Sequence, residues 1–196
     1  MANIVLVHGA WSGSWSWADV ARLLRAAGHE VHAPTLTGLA ERSHIPPTQI
    51  NLSSHVADIA GLLRWNDLRD VILVGHSYGG MVITGAADRE IARIRGMIYI
   101  DAFLPQSGQS AWDMSGPERA GAQKAAAMAH DGGLSVPRGR APANSSPADA
   151  ARFDPLFTAH PINCFSEPYV ATRAEPDHWP PRHYAVCTAY NPSPVH

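Results

Sequence analysis

Three short apolar runs, Ile4-Val5-Leu6-Val7, Val71-Ile72-Leu73-Val74 and Met97-Ile98-Tyr99-Ile100, and a further strand-like stretch, Val31-His32-Ala33-Pro34, punctuate the first hundred residues. Runs without apolar and polar alternation suit strands buried on both faces, the condition of a parallel sheet. Parallel neighbours need crossover connections, and the intervening stretches have helical spacing. Val20, Leu24 and Ala27 form one stripe after Trp17, and Gly28 follows where a left-handed helix stop is expected. Leu52, Val56, Ile59 and Leu63 form a second stripe, for which Ser53 or Ser54 is the expected cap. Small and aliphatic residues from Gly80 to Ala87 suit a third helix packed tightly on a sheet. Pro34 falls at the end of its strand, where a missing donor does least harm. This alternation predicts an α/β fold with a doubly wound, mainly parallel sheet and right-handed crossovers.

After Phe103 the rhythm breaks. Residues 116–154 are rich in Ala, Gly, Pro and Ser, with a helix predicted for Ala120 to His130, and Tyr184 to Cys187 reads as a further strand. A single domain over 1–196 with an insertion at approximately 104–180 accounts for this order. A chain of 196 residues is long enough to bury roughly 70% of its unfolded surface. Lys plus Arg number 15 against 17 Asp plus Glu, a net charge of -2, which gives nucleic acid or an anionic membrane no electrostatic footing. No apolar run approaches the ~18 residues of a membrane span. Cys164 and Cys187 are too few for a disulfide framework, and the N-terminus lacks the marks of a secretory signal, so a cytoplasmic location is expected.

The chemistry is concentrated at Gly75-His76-Ser77-Tyr78-Gly79, directly between a predicted strand and a predicted helix. In that context the five residues form a nucleophile elbow: backbone strain falls on Ser77, and Gly75 and Gly79 supply the small residues the tight turn requires. Ser77 then projects above the strand ends beside the free N–H groups of a helix N-terminus, which stabilise an oxyanion. The second donor comes from the loop after the first strand, His8-Gly9-Ala10-Trp11. Ala10 N–H and Tyr78 N–H are the expected oxyanion pair. His8, closing a buried strand, is read as a structural hydrogen-bonder.

On these residues the chain resembles the α/β-hydrolase fold, and within it the plant and bacterial esterase and hydroxynitrile lyase group that includes salicylate-type methylesterases. The resemblance is carried by His8 to Trp11 with Gly13, Trp15 and Trp17, by the elbow with Gly80, by Tyr99-Ile-Asp-Ala-Phe-Leu-Pro105, and by His160-Pro161 with Cys164. It implies that the insertion caps an apolar pocket, which tyrosine and tryptophan side chains could line or support. It implies a serine carboxylesterase acting on a small apolar ester through an acyl-enzyme, without cofactor or metal. The lyases of the group carry a threonine where this chain has Gly9, and a lysine near their last histidine. Gly9 therefore places cyanohydrin cleavage third.

The family's acid follows the strand equivalent to Tyr184 to Cys187, in a stretch like Cys-Thr-x-Asp. Here the stretch is Cys187-Thr188-Ala189-Tyr190. The family's histidine follows one further helix and strand, and a closing helix comes after it; two helices, one strand and their loops amount to roughly 40 residues that are missing where this chain stops at His196. The expected molecule is thus C-terminally shortened, with an open sheet edge that invites homo-oligomer formation. General base and acid are unassigned: His160, His178, His183 and His196 lie in the insertion or the tail, and Asp101 reads as structural. A catalytically impaired ligand binder is the alternative, since loss of serine or histidine costs a serine protease about 10⁶ in turnover. No dinucleotide or phosphate loop follows the first strand. His29-Glu30-Val31-His32 lacks zinc-helix spacing, so the histidines read as surface and loop residues, and Arg138-Gly139-Arg140 as a solvated loop.

Overall fold

The computed structural model describes residues 1–138, 146–172 and 179–188; Gly139, Arg140, His178, Tyr190 and His196 lie outside them. Strands β1 (Asn3–Val7), β2 (Glu30–His32), β3 (Val71–His76), β4 (Ile94–Ile100) and a late strand, Arg182–Ala185, form one sheet. The late strand pairs with β4 as an edge, β2 forms the other edge, and β1 and β3 lie between them; every pairing is parallel.

Side-chain alternation along the strands builds a core on each face. Ile4 and Leu6 of β1 join Val31 and Val74 on one side, against helix α1 (Ala18–Ala26). Val5, Val7, Leu73 and Met97 point the other way, towards helices α2 (Leu52–Trp65) and α3 (Gly79–Glu90). The doubly wound arrangement follows directly. α3 is buried along almost its whole length, and Gly85 lets it approach α2: a Cβ there would lie 2.6 Å from Val56. The α2 stripe is the predicted one, with Leu52, Val56, Ile59 and Leu63 all buried.

Three local expectations change. Asn51, not Ser53 or Ser54, caps α2: its side chain accepts from Ser54 N–H, and the Ser54 hydroxyl accepts from Asn51 N–H. On α1 the buried side is Trp17, Ala21 and Leu24, while Val20 is exposed, because a 3₁₀ turn over Ser14–Trp17 sets the helix phase. β2 stops at His32, short of Pro34. Gly28 does take the left-handed stop, at φ +85°.

Between β4 and the late strand the chain forms α4 (Ala111–Ser115), α5 (Pro117–Asp131), β5 (Ser135–Val136), α6 (Pro147–Phe153), β6 (His160–Pro161) and α7 (Asn163–Ser166). β5 and β6 pair antiparallel, with Val136 opposite His160. The late strand is β7 (Arg182–Ala185), and all four of its residues are exposed. Tyr184 ties it down: its ring stacks on Tyr99, and its hydroxyl donates to Ala102 O at 2.7 Å while accepting from Ala102 N–H at 3.0 Å. Among the described residues, no helix is long and apolar enough to cross a membrane.

Candidate active site

Ser77 sits between β3 and α3 with φ at +51°, a left-handed value a serine adopts only when its surroundings over-determine it. The determinants are visible. Ser77 N–H donates to Ile100 O, and Ser77 O accepts from Gly80 N–H and Phe103 N–H, so the end of β4 holds the turn from both sides. The elbow glycines serve close approach. A Cβ at Gly75 would lie 2.8 Å from Gly79 O, and one at Gly79 would lie 2.7 Å from Val7 O. Gly80 is tighter still, since its Cβ would fall 2.0 Å from Phe103 O. The helix N-terminus is thereby drawn against the end of β1.

Gly9 and Ala10 stand at that end. A side chain at Gly9 would meet His76 Nδ1 at 3.0 Å and Ser77 Cβ at 3.2 Å, so the bare backbone of this loop borders the serine directly. Ser77 is partly exposed, whereas Tyr78 is buried. Among the described residues, no hydrogen bond engages the Ser77 hydroxyl, the Ala10 N–H or the Tyr78 N–H.

His8 has the expected structural role. Leu36 N–H donates to its Nε2 at 3.0 Å, so Nδ1 carries the proton and donates to Gly9 O at 2.8 Å. The Ser12 hydroxyl reinforces Gly9 O at 3.0 Å. Burial lowers the His8 pKa to about 4, keeping the ring neutral.

The surface-and-loop reading of the histidines fails at His55 and His160, which are fully buried, as His8 is. His55 on α2 donates from Nε2 to Thr37 O at 2.8 Å and accepts the Tyr78 hydroxyl on Nδ1 at 3.0 Å. His160 accepts Trp11 N–H on Nδ1 at 3.2 Å. Its Nε2 has no partner among the described residues. Cys164 Sγ lies 3.8 Å from His55 Nε2. The ligating atoms of His55, His160 and Cys164 all lie within 4.8 Å of one another, a spread compatible with a metal. Their protons do not fit one. In each imidazole one nitrogen is engaged as an acceptor and the other carries the proton, so neither ring has a free lone pair. Burial lowers both histidine pKa values and pushes the Cys164 thiol up, which disfavours the thiolate a metal would need. The cluster is a neutral polar core beneath Tyr78. One chain segment could not announce it, because His55 lies more than a hundred residues before His160 and Cys164.

The remaining candidates are placed as follows. Asp101, with φ at +43°, ends β4 and is buried. Its N–H donates to Ala185 O at 2.8 Å, and Cys187 N–H approaches its carboxylate at 3.5 Å, so it joins β4 to β7. His183 lies on the exposed β7 strand opposite Ile98. Arg138 pairs with Asp154 at 2.5 Å and covers the Phe157 ring. A depression of about 270 Å³ is lined by Gly38, Ile45, Ser135 and Pro161 among others, and by no residue of the elbow or of the loop at Gly9.

Residues 4–192 match the model of the alpha/beta hydrolase family. A carbendazim hydrolyzing esterase of Nocardioides sp. (strain SG-4G) is 54% identical over 110 residues, which cover 56% of this chain and 46% of that protein. An alpha-hydroxynitrile lyase of Arabidopsis thaliana is 37% identical over 110 residues, covering 54% of this chain and 41% of that one. Salicylic acid-binding protein 2 of Nicotiana tabacum is 35% identical over 106 residues, with coverage of 54% and 41%. The matched segments thus span less than half the length of these relatives. An extracellular alpha/beta-hydrolase from a Paenibacillus species superposes with a TM-score of 0.85 at 24% identity, over 96% of this chain and 78% of that one, a likeness of fold.

Proposed function

Since the chain belongs to the alpha/beta hydrolase family, we propose that it is a carboxylesterase-type serine hydrolase of small apolar esters, with Ser77 as nucleophile. The observation that carries this reading is the strained Ser77 turn bordered by the Gly9–Ala10 loop, with Ala10 N–H and Tyr78 N–H unpaired among the described residues. Ser77 Oγ attacks the ester carbonyl, and the carbonyl oxygen gains charge between the two amides. The alcohol leaves and water releases the acid from the acyl-enzyme. The segment 104–180 acts as a cap over the acyl or alcohol group. Relatives named as a carbendazim hydrolyzing esterase and as methylesterases support ester hydrolysis. Gly9 favours it over cyanohydrin cleavage, because His76 and Ser77 crowd the place where the lyases carry a threonine. Two unpaired cysteines suit a cytoplasmic setting.

One observation favours a second reading, an impaired hydrolase-fold ligand binder: no described histidine hydrogen-bonds the Ser77 hydroxyl. Hydrolysis of p-nitrophenyl acetate by the chain and by Ser77→Ala separates the two. The esterase reading expects the variant to fall to the uncatalysed rate, and equal rates for both proteins would sink it. Release of cyanide from mandelonitrile would instead favour the lyase.

The exposed β7 edge leads us to include self-association in the proposal, since a parallel edge presents unpaired backbone groups to a second copy. Light scattering is expected to give a mass above the monomer's 21.1 kDa. A monodisperse monomer would remove this element.

A further inference from the structure

Ala10, the first proposed oxyanion donor, is followed by a residue under strain. Trp11 has φ at +64°, a left-handed conformation that is strained for a bulky residue and does not persist unsupported. Its support comes from the inserted segment. Trp11 Nε1–H donates to Val136 O at 2.8 Å, Thr158 N–H donates to Trp11 O at 3.0 Å, and Trp11 N–H donates to His160 Nδ1 at 3.2 Å. Val136 and His160 face each other across the β5–β6 pair, so one register pair grips the indole at one end and the peptide at the other.

The second proposed donor meets the same histidine. The Tyr78 ring lies edge-on to His160 with centroids 4.8 Å apart, and Phe165 packs against both rings. The Tyr78 hydroxyl is held from the far side by His55. His160 therefore touches Trp11, next to Ala10, and Tyr78, next to Ser77, although it comes from a different part of the chain.

We propose that His160 is a positioning residue that aligns both oxyanion amides: its ring accepts the Trp11 amide and wedges against Tyr78, coupling the seating of the inserted segment to the geometry at Ser77. This rests on the esterase reading above. The donor geometry matters because an oxyanion amide displaced by about 1 Å can cost on the order of 10²-fold in rate. A lining residue would change substrate affinity. A positioning residue changes turnover.

The test compares wild type, Ser77→Ala, His160→Phe and His160→Asn. Phenylalanine keeps a ring against Tyr78 and removes the acceptor, whereas the asparagine oxygen falls near the position of Nδ1. Should His160→Phe not fold, His160→Gln replaces it, because its polar atoms lie beyond that position. With p-nitrophenyl acetate, the phenylalanine variant is expected to lose tenfold or more in kcat with KM within about twofold, and the asparagine variant to recover most of the loss. Amide hydrogen exchange at Trp11 is expected to accelerate in the first variant and not in the second. A folded variant lacking the acceptor, with wild-type kcat or unchanged Trp11 exchange, overturns the proposal. If Ser77→Ala hydrolyses the ester as fast as wild type, the esterase reading fails separately, and Trp11 exchange alone then decides whether His160 anchors the loop.

Discussion

Individual residues at the elbow are chosen by how closely backbones approach. Gly80 is the sharpest case, since the atom it lacks would fall 2.0 Å from Phe103 O, in the residue whose N–H donates to Ser77 O and holds the turn. Gly80→Ala is expected to destabilise the fold by about 3 kcal/mol or more, because neither backbone can yield without moving the end of β4. Thermal melting of the variant checks this, and an unchanged midpoint would mean that the turn has slack. The requirement at Gly75 and Gly79 was legible in the five-residue motif. At the same scale His160 was not, because an isolated histidine has no periodicity to reveal burial, whereas His55 stands on the buried α2 stripe, three residues after Leu52. Their environment exists only once α2, β6 and the loop at Trp11 are brought together.

At the scale of elements, apolar periodicity was a reliable guide to which segments are strands and helices, and a poorer one to where they begin. α2 carries its predicted stripe, but three cap-competent residues, Asn51, Ser53 and Ser54, stand near its start. The choice fell on Asn51, which reaches the N–H of Ser54 with the geometry of a reciprocal box. Ser53 is instead bound by Glu167, whose carboxylate accepts from Ser53 N–H at 2.8 Å and from its hydroxyl at 2.7 Å. Asn51→Ala is expected to lower stability by about 1 kcal/mol, and Ser54→Ala by less, as read from urea unfolding midpoints. The reverse order would return the cap to the serine. α1 shows the complementary failure. Its short stripe fits two neighbouring faces, and the preceding 3₁₀ turn selected the one bearing Ala21.

For the molecule as a whole, burying His8, His55 and His160 in neutral form couples stability to acidity. Each folded pKa is depressed below the ordinary value of 6.5, desolvation being the main cause in all three. The unfolded chain therefore binds more protons than the folded one as pH falls below about 6.5, and stability is lost through the folded pKa values, about 4 for His8. His8 alone contributes on the order of 3 kcal/mol to this loss, and protonation of its Nε2 expels the Leu36 amide. Urea midpoints measured from pH 7 to pH 4 are expected to fall steeply below pH 6.5, and a flat profile would show that the three rings are not held neutral. By itself the sequence determined the parallel alternation of strands and helices, the elbow at Ser77 and the glycines around it, because short-range sterics and burial periodicity are written locally along a chain. Only the tertiary structure decided that His160 joins His8 and His55 inside, how their protons are placed, and that the inserted segment grips Trp11, because hydrogen-bond partners drawn from distant segments have no spacing by which a linear reading could find them.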